Sequence, residues 1–366
     1  MKESKIKVGI THGDINGVGY EVILKTLIDA RILELCIPVI YGSPKVAAYH
    51  RKALDIENIN MNIIGSAKDA HYSRVNIVNC IEDSVKVELG RESIVAGDAS
   101  FKAMELAVDN IIDKTIDVLV TAPVNKHSIY STEVECKGHT EYLEQRFECS
   151  GAMTILVGDY LKIGSAVGHV TMKELAPSVT YDNILAKLKI MSDSLKNDFM
   201  ISKPRIAVLG FNPHLGDRGM WGEEEEMIIV PAIAKARKDG VMALGPFSAD
   251  GFFASASFAK YDAVLAMYHD QAMIPFKTIE GNTGVVFTAG LPLVRTSPAH
   301  GVAYGKVGKG TATEAGFRNA LYLALDICKN RKINESISRN PLPKYDIAPN
   351  PHGADPNVED LEIIEK

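Results

Sequence analysis

The chain has 366 residues, 46 % of them hydrophobic and 23 % charged, and a formal net charge of −6. That length exceeds one simple core, so two domains are the default. The acidic balance excludes the basic footprint of a nucleic-acid binder, and no stretch approaches the roughly 18 uninterrupted apolar residues of a membrane helix.

The first element is a strand, Lys7–Ile10, where a signal peptide would need a longer apolar run. Further strands are expected at Ile37–Tyr41, Val75–Val78, Val118–Thr121, Thr154–Val157, Lys162–Val167, Arg205–Leu209, Ala263–Met267 and Gly284–Thr288. Between them lie segments of helical period: Gly19–Leu27, Pro44–Leu54, Ser100–Ile112, Thr140–Phe147, Thr171–Glu174, Tyr181–Lys196, Gly222–Arg237 and Thr311–Cys328. Alternating strands and helices predict an α/β architecture with a largely parallel sheet. The acidic block EEEE at 223–226 suits a helix N-terminus and is expected to be a solvated face. Pro275 is expected to end the local structure after MYHDQ, and the Pro- and Asn-rich tail beyond Ile333 is expected to be irregular, with His352 in solvent.

The five cysteines are odd in number and form no CxxC pair. They point to reduced thiols in a cytoplasmic protein and away from a cysteine-based zinc site.

Chemistry concentrates where polar residues follow apolar runs, because parallel α/β proteins bind ligands at the carboxyl ends of their strands. THGDINGVGYE (11–21) has glycines whose backbone amides could meet an anion, though a plain turn explains it equally well. TAPVNK and GHTEYL follow the strand DVLV, with Thr140 readable as a helix N-cap. His169, His214 and His269 each follow an apolar strand. Three neutral imidazoles with an open position make a catalytic divalent-metal site, of Zn or Co type, or of Mg type with oxygen ligands added. Their separations of 45 and 55 residues require assembly by the fold or across a subunit interface. Lys277 and Arg295 are anion clamps in form, one a point charge and one a planar fork. RTSPAHGVA reads as a turn-rich stretch, and GKVGKG (305–310) as a loop that could lie along a cofactor's phosphates.

These motifs, with GFNPHLG and LPLVRTS, resemble the PdxA family of 4-hydroxythreonine-4-phosphate dehydrogenases, in order from about residue 7 to residue 325. The resemblance implies a two-domain fold like the isocitrate and isopropylmalate dehydrogenases, with a cleft between a discontinuous first domain (1–125 plus 300–366) and a second (126–299). It implies a homodimer whose active site draws on both subunits, and use of NAD or NADP without a GxGxxG fingerprint. The implied reaction is oxidation and decarboxylation of 4-phosphooxy-L-threonine to 3-amino-2-oxopropyl phosphate, on the route to pyridoxal 5′-phosphate. The metal would sit on His169, His214 and His269, and the substrate on His139, Thr140, Lys277 and Arg295. Cofactor contacts are expected at His300, Gly301 and Gly308, and Asp270 and Asp250 are the candidate general bases or supports for the metal-bound histidines. The chain departs from the family pattern at Val286, where a substrate-binding Asn is common, at Ala299 and Gly305, where acidic residues are common, and silently at Ile15. Val286 keeps open a related sugar-acid phosphate, such as threonate or erythronate 4-phosphate, as substrate. Histidines and anion clamps by themselves also fit a metal-dependent hydrolase of phosphorylated metabolites, or a protein that only binds them.

Overall fold

A computed structural model describes residues 5–82, 84–130, 139–149 and 151–340. Twelve strands form one sheet: β1 (Ile6–Thr11), β2 (Cys36–Gly42), β3 (Met61–Ile64), β4 (Val75–Asn79), β5 (Val118–Thr121), β6 (Met153–Val157), β7 (Lys162–Ser165), β8 (Arg205–Leu209), β9 (Met242–Phe247), β10 (Ala263–Ala266), β11 (Val285–Ala289) and β12 (Arg295–Pro298). Their order is β3-β4-β2-β1-β5-β12-β11-β6-β7-β10-β8-β9. The left part, from β3 through β5 to β12, is parallel, and so is the right part from β7 to β9. Between them β12, β11, β6 and β7 run antiparallel to their neighbours. The expected α/β class with a largely parallel sheet is therefore what the chain adopts. β5 and β12 join through only two register pairs, Arg295–Leu119 and Thr296–Val120.

Burial explains why these runs become strands. β1, β2, β5 and β10 are almost wholly buried, as expected of strands covered on both faces by crossover helices. Helices start where a side chain can take the first free amides. Ser43, Ser93 and Thr180 accept from Val46, Ala96 and Asn183. Nine strands were legible as apolar runs. The three missed were β3, β9 and β12: β3 has four residues, β9 is interrupted by Gly245 and Pro246, and β12 is polar. The turn-rich reading of RTSPAHGVA is corrected at its start, since Arg295–Pro298 is a buried strand paired on both edges. Its Thr296 hydroxyl donates to the Ala320 carbonyl, so a polar side chain is buried there and no apolar alternation marks the strand.

Two further expectations are corrected. Pro275 does not end the structure after MYHDQ, because a helix runs His269–Glu280 straight through it. Each end of that helix is pinned by a side chain. Gln271 accepts from the Met267 amide (2.7 Å) and donates to the Gly210 carbonyl (2.8 Å). The Glu280 carboxylate accepts from the amides of Asp159, Tyr160 and Leu161. These anchors offset the bond that Pro275 removes, and the helix stops at Gly281, with φ of 58°. The segment expected as one helix from Gly222 is a π-turn, Glu225–Ile229, leading into Val230–Lys238. Nor is the acidic block uniformly solvated, since Glu225 is buried. The last described helix, Ala315–Ser338, runs past Ile333, where irregular structure was expected. The Pro- and Asn-rich tail from residue 341, with His352, lies outside the described residues, as does Cys136.

Candidate functional site

Two strand ends in register bring two histidines together. Past β7 and β10 the chains stay paired: Ala166 donates to Ala266 (2.8 Å) and Val167 to Met267 (3.0 Å). Two residues beyond that last pair, on each chain, stand His169 and His269. Their ring centroids are 5.2 Å apart with planes tilted by 44°. Both face a cavity of about 510 Å³. Burial, then the nearby Lys126 and His269, hold His169 below the ordinary imidazole value, which favours the neutral form that a metal ligand needs. The Nδ1 of His269 lies 2.7 Å from Asp270 Oδ1, which fixes the proton there and leaves Nε2 as the open nitrogen.

The same cavity is lined by Arg295, 7 % exposed. Its Nε and Nη2 donate to the Thr121 hydroxyl (3.1 and 2.7 Å) and its Nη1 to Thr288 (3.3 Å). Burial lowers its pKa to about 10, which still leaves a full cation at neutral pH. Thr140 and Val286, both half-buried, also line the cavity. So do His300 and Gly301. The Nε2 of His300 is buried without a hydrogen-bond partner among the described residues, and burial lowers its pKa.

Other expected residues stand elsewhere in this chain. His214 is exposed on the loop after β8, and among the described residues no three His, Cys, Asp or Glu side chains gather into a metal-binding group. Lys277 is exposed on the helix His269–Glu280, eight residues and about 12 Å along its axis from His269. It lies outside the lining of the cavity. Asp250 and Asp270 line a second, open cavity of about 600 Å³ beside the first. A hydrogen bond from Ser248, chiefly, holds the Asp250 carboxyl below the usual range, and His214 adds a small contribution. Gly308, with φ of 72°, packs near Leu89. The side chain of His139 lies outside the described residues, although its backbone opens the helix His139–Arg146.

The glycine-rich turn after β1 is a plain turn. Its amides are already engaged: Asp14 with Pro123, Gly17 with Asp14, and Val18 with Val302. Gln271 is a structural bridge. Reasoning from sequence missed Lys126, whose Nζ lies 3.5 Å from His169 Nε2, and Lys187, which donates to Ala152 at the cavity wall. Lys126 sits within TAPVNK, so position after a strand could have flagged it. Lys187 lies mid-helix and carries no such signal.

The donor set fits a divalent cation in part. Two imidazoles converge on one cavity, one of them oriented by a carboxylate, and a third protein ligand would come from outside this cluster. Comparison with known proteins adds identity to geometry. The family model described as pyridoxal phosphate biosynthetic protein PdxA matches residues 34–324. A Bacteroides thetaiotaomicron 4-hydroxythreonine-4-phosphate dehydrogenase is 49 % identical, over 94 % of this chain and 94 % of its own. A Clostridium botulinum protein provisionally named a D-threonate 4-phosphate dehydrogenase is 32 % identical, over 88 % of this chain and 97 % of its own. The crystal structure of 4-hydroxythreonine-4-phosphate dehydrogenase from Klebsiella pneumoniae superposes with a TM-score of 0.77 at 28 % identity, covering 89 % of this chain and all of that one.

Proposed function

The chain belongs to the PdxA family of pyridoxal phosphate biosynthetic proteins, and from that premise we propose how its residues serve a dehydrogenase acting on 4-hydroxythreonine 4-phosphate, the same compound as 4-phosphooxy-L-threonine. The observation that carries this reading is one cavity lined by two adjacent imidazoles and a buried arginine. Arg295 binds the substrate phosphate, and Thr121 and Thr288 fix its fork. His169 and His269 hold a divalent cation of Zn, Co or Mg type, with Asp270 orienting His269. Such a cation, when bound, supplies Lewis-acid polarisation of the substrate hydroxyl. NAD or NADP, when bound, would supply the hydride acceptor, and His300 and Gly301, which line the same cavity, are the residues that would contact it. Oxidation puts a ketone β to the substrate carboxylate, and loss of carbon dioxide then gives 3-amino-2-oxopropyl phosphate.

The third imidazole, His214, and Lys277 reach this cavity from a second copy of the chain. Their exposure, and their places outside the lining of the cavity in one copy, support a homodimer with shared sites. Asp270 is committed to His269, so Asp250 is left to take the hydroxyl proton. Closure of the open cavity by the second copy would desolvate that carboxyl and raise it toward a useful range for a base. Two lobes, 1–125 with 300–366 and 126–299, would move against each other along the thin junction of β5 and β12. Free thiols at Cys36, Cys80, Cys149 and Cys328 support a cytoplasmic setting.

The test is NAD reduction with 4-phosphooxy-L-threonine before and after chelation; full activity in rigorously metal-free protein contradicts the cation. Val286 favours a second reading. Its apolar side chain lines the cavity where a polar contact to an amino group would be useful, so threonate 4-phosphate is the competing substrate, and kcat/KM on the two compounds decides between them.

A further inference from the structure

The loop 210–222 after β8 carries His214 in an unusual backbone. His214, Leu215, Asp217 and Arg218 all have φ between 42° and 59°, the left-handed region. Each such residue costs roughly 1 kcal/mol or more, so the surroundings must over-determine the conformation. What does so is a carboxylate in the middle of the loop. Glu225 is 3 % exposed, on the π-turn Glu225–Ile229. Its Oε1 accepts from the amides of Phe211 and Asn212, both at 2.7 Å, and its Oε2 accepts from Asn212 Nδ2 at 2.9 Å. The same Nδ2 reaches Glu224 Oε2 at 2.6 Å. The loop closes on this group without slack. A Cβ on Gly216 would stand 3.1 Å from Glu225 Oε2 and 2.4 Å from the Gly222 carbonyl, and one on Gly210 would stand 3.2 Å from Oε1.

The three donors are the two residues that lead into Pro213 and His214. The loop is also tied to the other histidine. Gln271, two residues past His269, donates to the Gly210 carbonyl at the loop's root. π-turns of this kind often mark functional sites.

We propose that Glu225 is a positioning residue for His214: it holds the loop 210–222 so that the imidazole stands outward at a fixed place and angle for the shared cation site. This deepens the proposed function and rests on His214 being a metal ligand. The loop's neighbours at its outer end, Met220 and Trp221, are exposed at 70 % and 58 %, consistent with a loop built to present side chains.

The test is Zn²⁺ affinity of the full chain, read by competition with a chromophoric chelator, for Glu225→Gln, His214→Ala and the double variant. Glu225→Gln keeps the shape, puts an amide donor among N–H donors, and should weaken Zn²⁺ binding about tenfold. The double variant should bind no more weakly than His214→Ala, because both changes act through one ligand. Unchanged affinity in Glu225→Gln, with His214→Ala impaired, overturns the role of Glu225 and leaves the metal reading standing. Additive losses also overturn it, since Glu225 would then act elsewhere. Wild-type affinity in His214→Ala overturns the metal reading and this inference with it. A merely structural role would lower the Tm and leave the affinity of the folded protein unchanged. If circular dichroism shows Glu225→Gln unfolded, Asn212→Ala replaces it, with a loss of about threefold expected and wild-type affinity contradicting the proposal.

Discussion

His12 and His169 both follow buried parallel strands, and they have opposite fates. His12 directly follows β1, is fully buried, and has neither ring nitrogen hydrogen-bonded among the described residues. It stacks on Tyr20 at 5.4 Å, which in turn stacks on His50 at 5.2 Å. Burial lowers its pKa to about 4, and it is held as a neutral aromatic plate. His169 follows β7 by four residues, reaches an open cavity, and meets a second imidazole. Position at a strand end is therefore not enough to make a ligand. Access and a converging partner decide, and both depend on how far past the sheet the chain travels before the side chain is set.

The sharpest way to break this contrast is to remove one histidine from each region. His269→Ala should reduce turnover by about a thousandfold or more, with the fold intact by circular dichroism. His12→Phe should leave turnover at alkaline pH unchanged; a comparable loss there would mean that access is not what separates the two. Asp270→Asn should weaken metal binding roughly tenfold or more, because the Nδ1 proton of His269 keeps only a neutral acceptor in place of a carboxylate; isothermal titration with Zn²⁺ measures it.

The buried side of the contrast shows in stability. In the unfolded chain His12 titrates near 6.5, and in the folded protein near 4. Between those values the unfolded state binds more protons, so stability is full above 6.5 and is lost as pH falls toward 4. Urea unfolding should show a loss of about 2 kcal/mol between pH 7 and pH 5 from this group. His50, lowered in the same direction by burial, adds to it. His12→Phe should flatten that slope, and an unchanged slope would assign the acid sensitivity to other groups. The smallest effect concerns specificity. Val286→Asn should shift the ratio of kcat/KM between 4-phosphooxy-L-threonine and threonate 4-phosphate by about tenfold toward the amino substrate; no shift removes Val286 from the specificity argument.

Much of this was legible because the relevant signals are local. Apolar runs such as IKVGIT and RIAVL become strands wherever both faces are covered, and β5 and β8 have the bounds their residues suggest. The pairing of His169 with His269 was readable only as a shared topological position; its cause is the register of Val167 with Met267, which no local pattern encodes. β12 was hidden because its Arg and Thr are satisfied by residues outside the strand, Thr121 and Ala320. Helix propensity misjudged Pro275 because Gln271 and Glu280 pin the helix through tertiary contacts. Glu225 was invisible as a positioning group because four consecutive glutamates read as one surface, and only the fold singles out one of them.

The central claim is that the imidazoles and Arg295 on one cavity carry a metal-assisted dehydrogenation of a phosphorylated substrate. The direct measurement is the appearance of reduced nicotinamide with 4-phosphooxy-L-threonine in native, chelated and Zn²⁺-restored protein. The account predicts activity, then loss, then recovery; turnover that persists at the native rate after verified metal removal would contradict it.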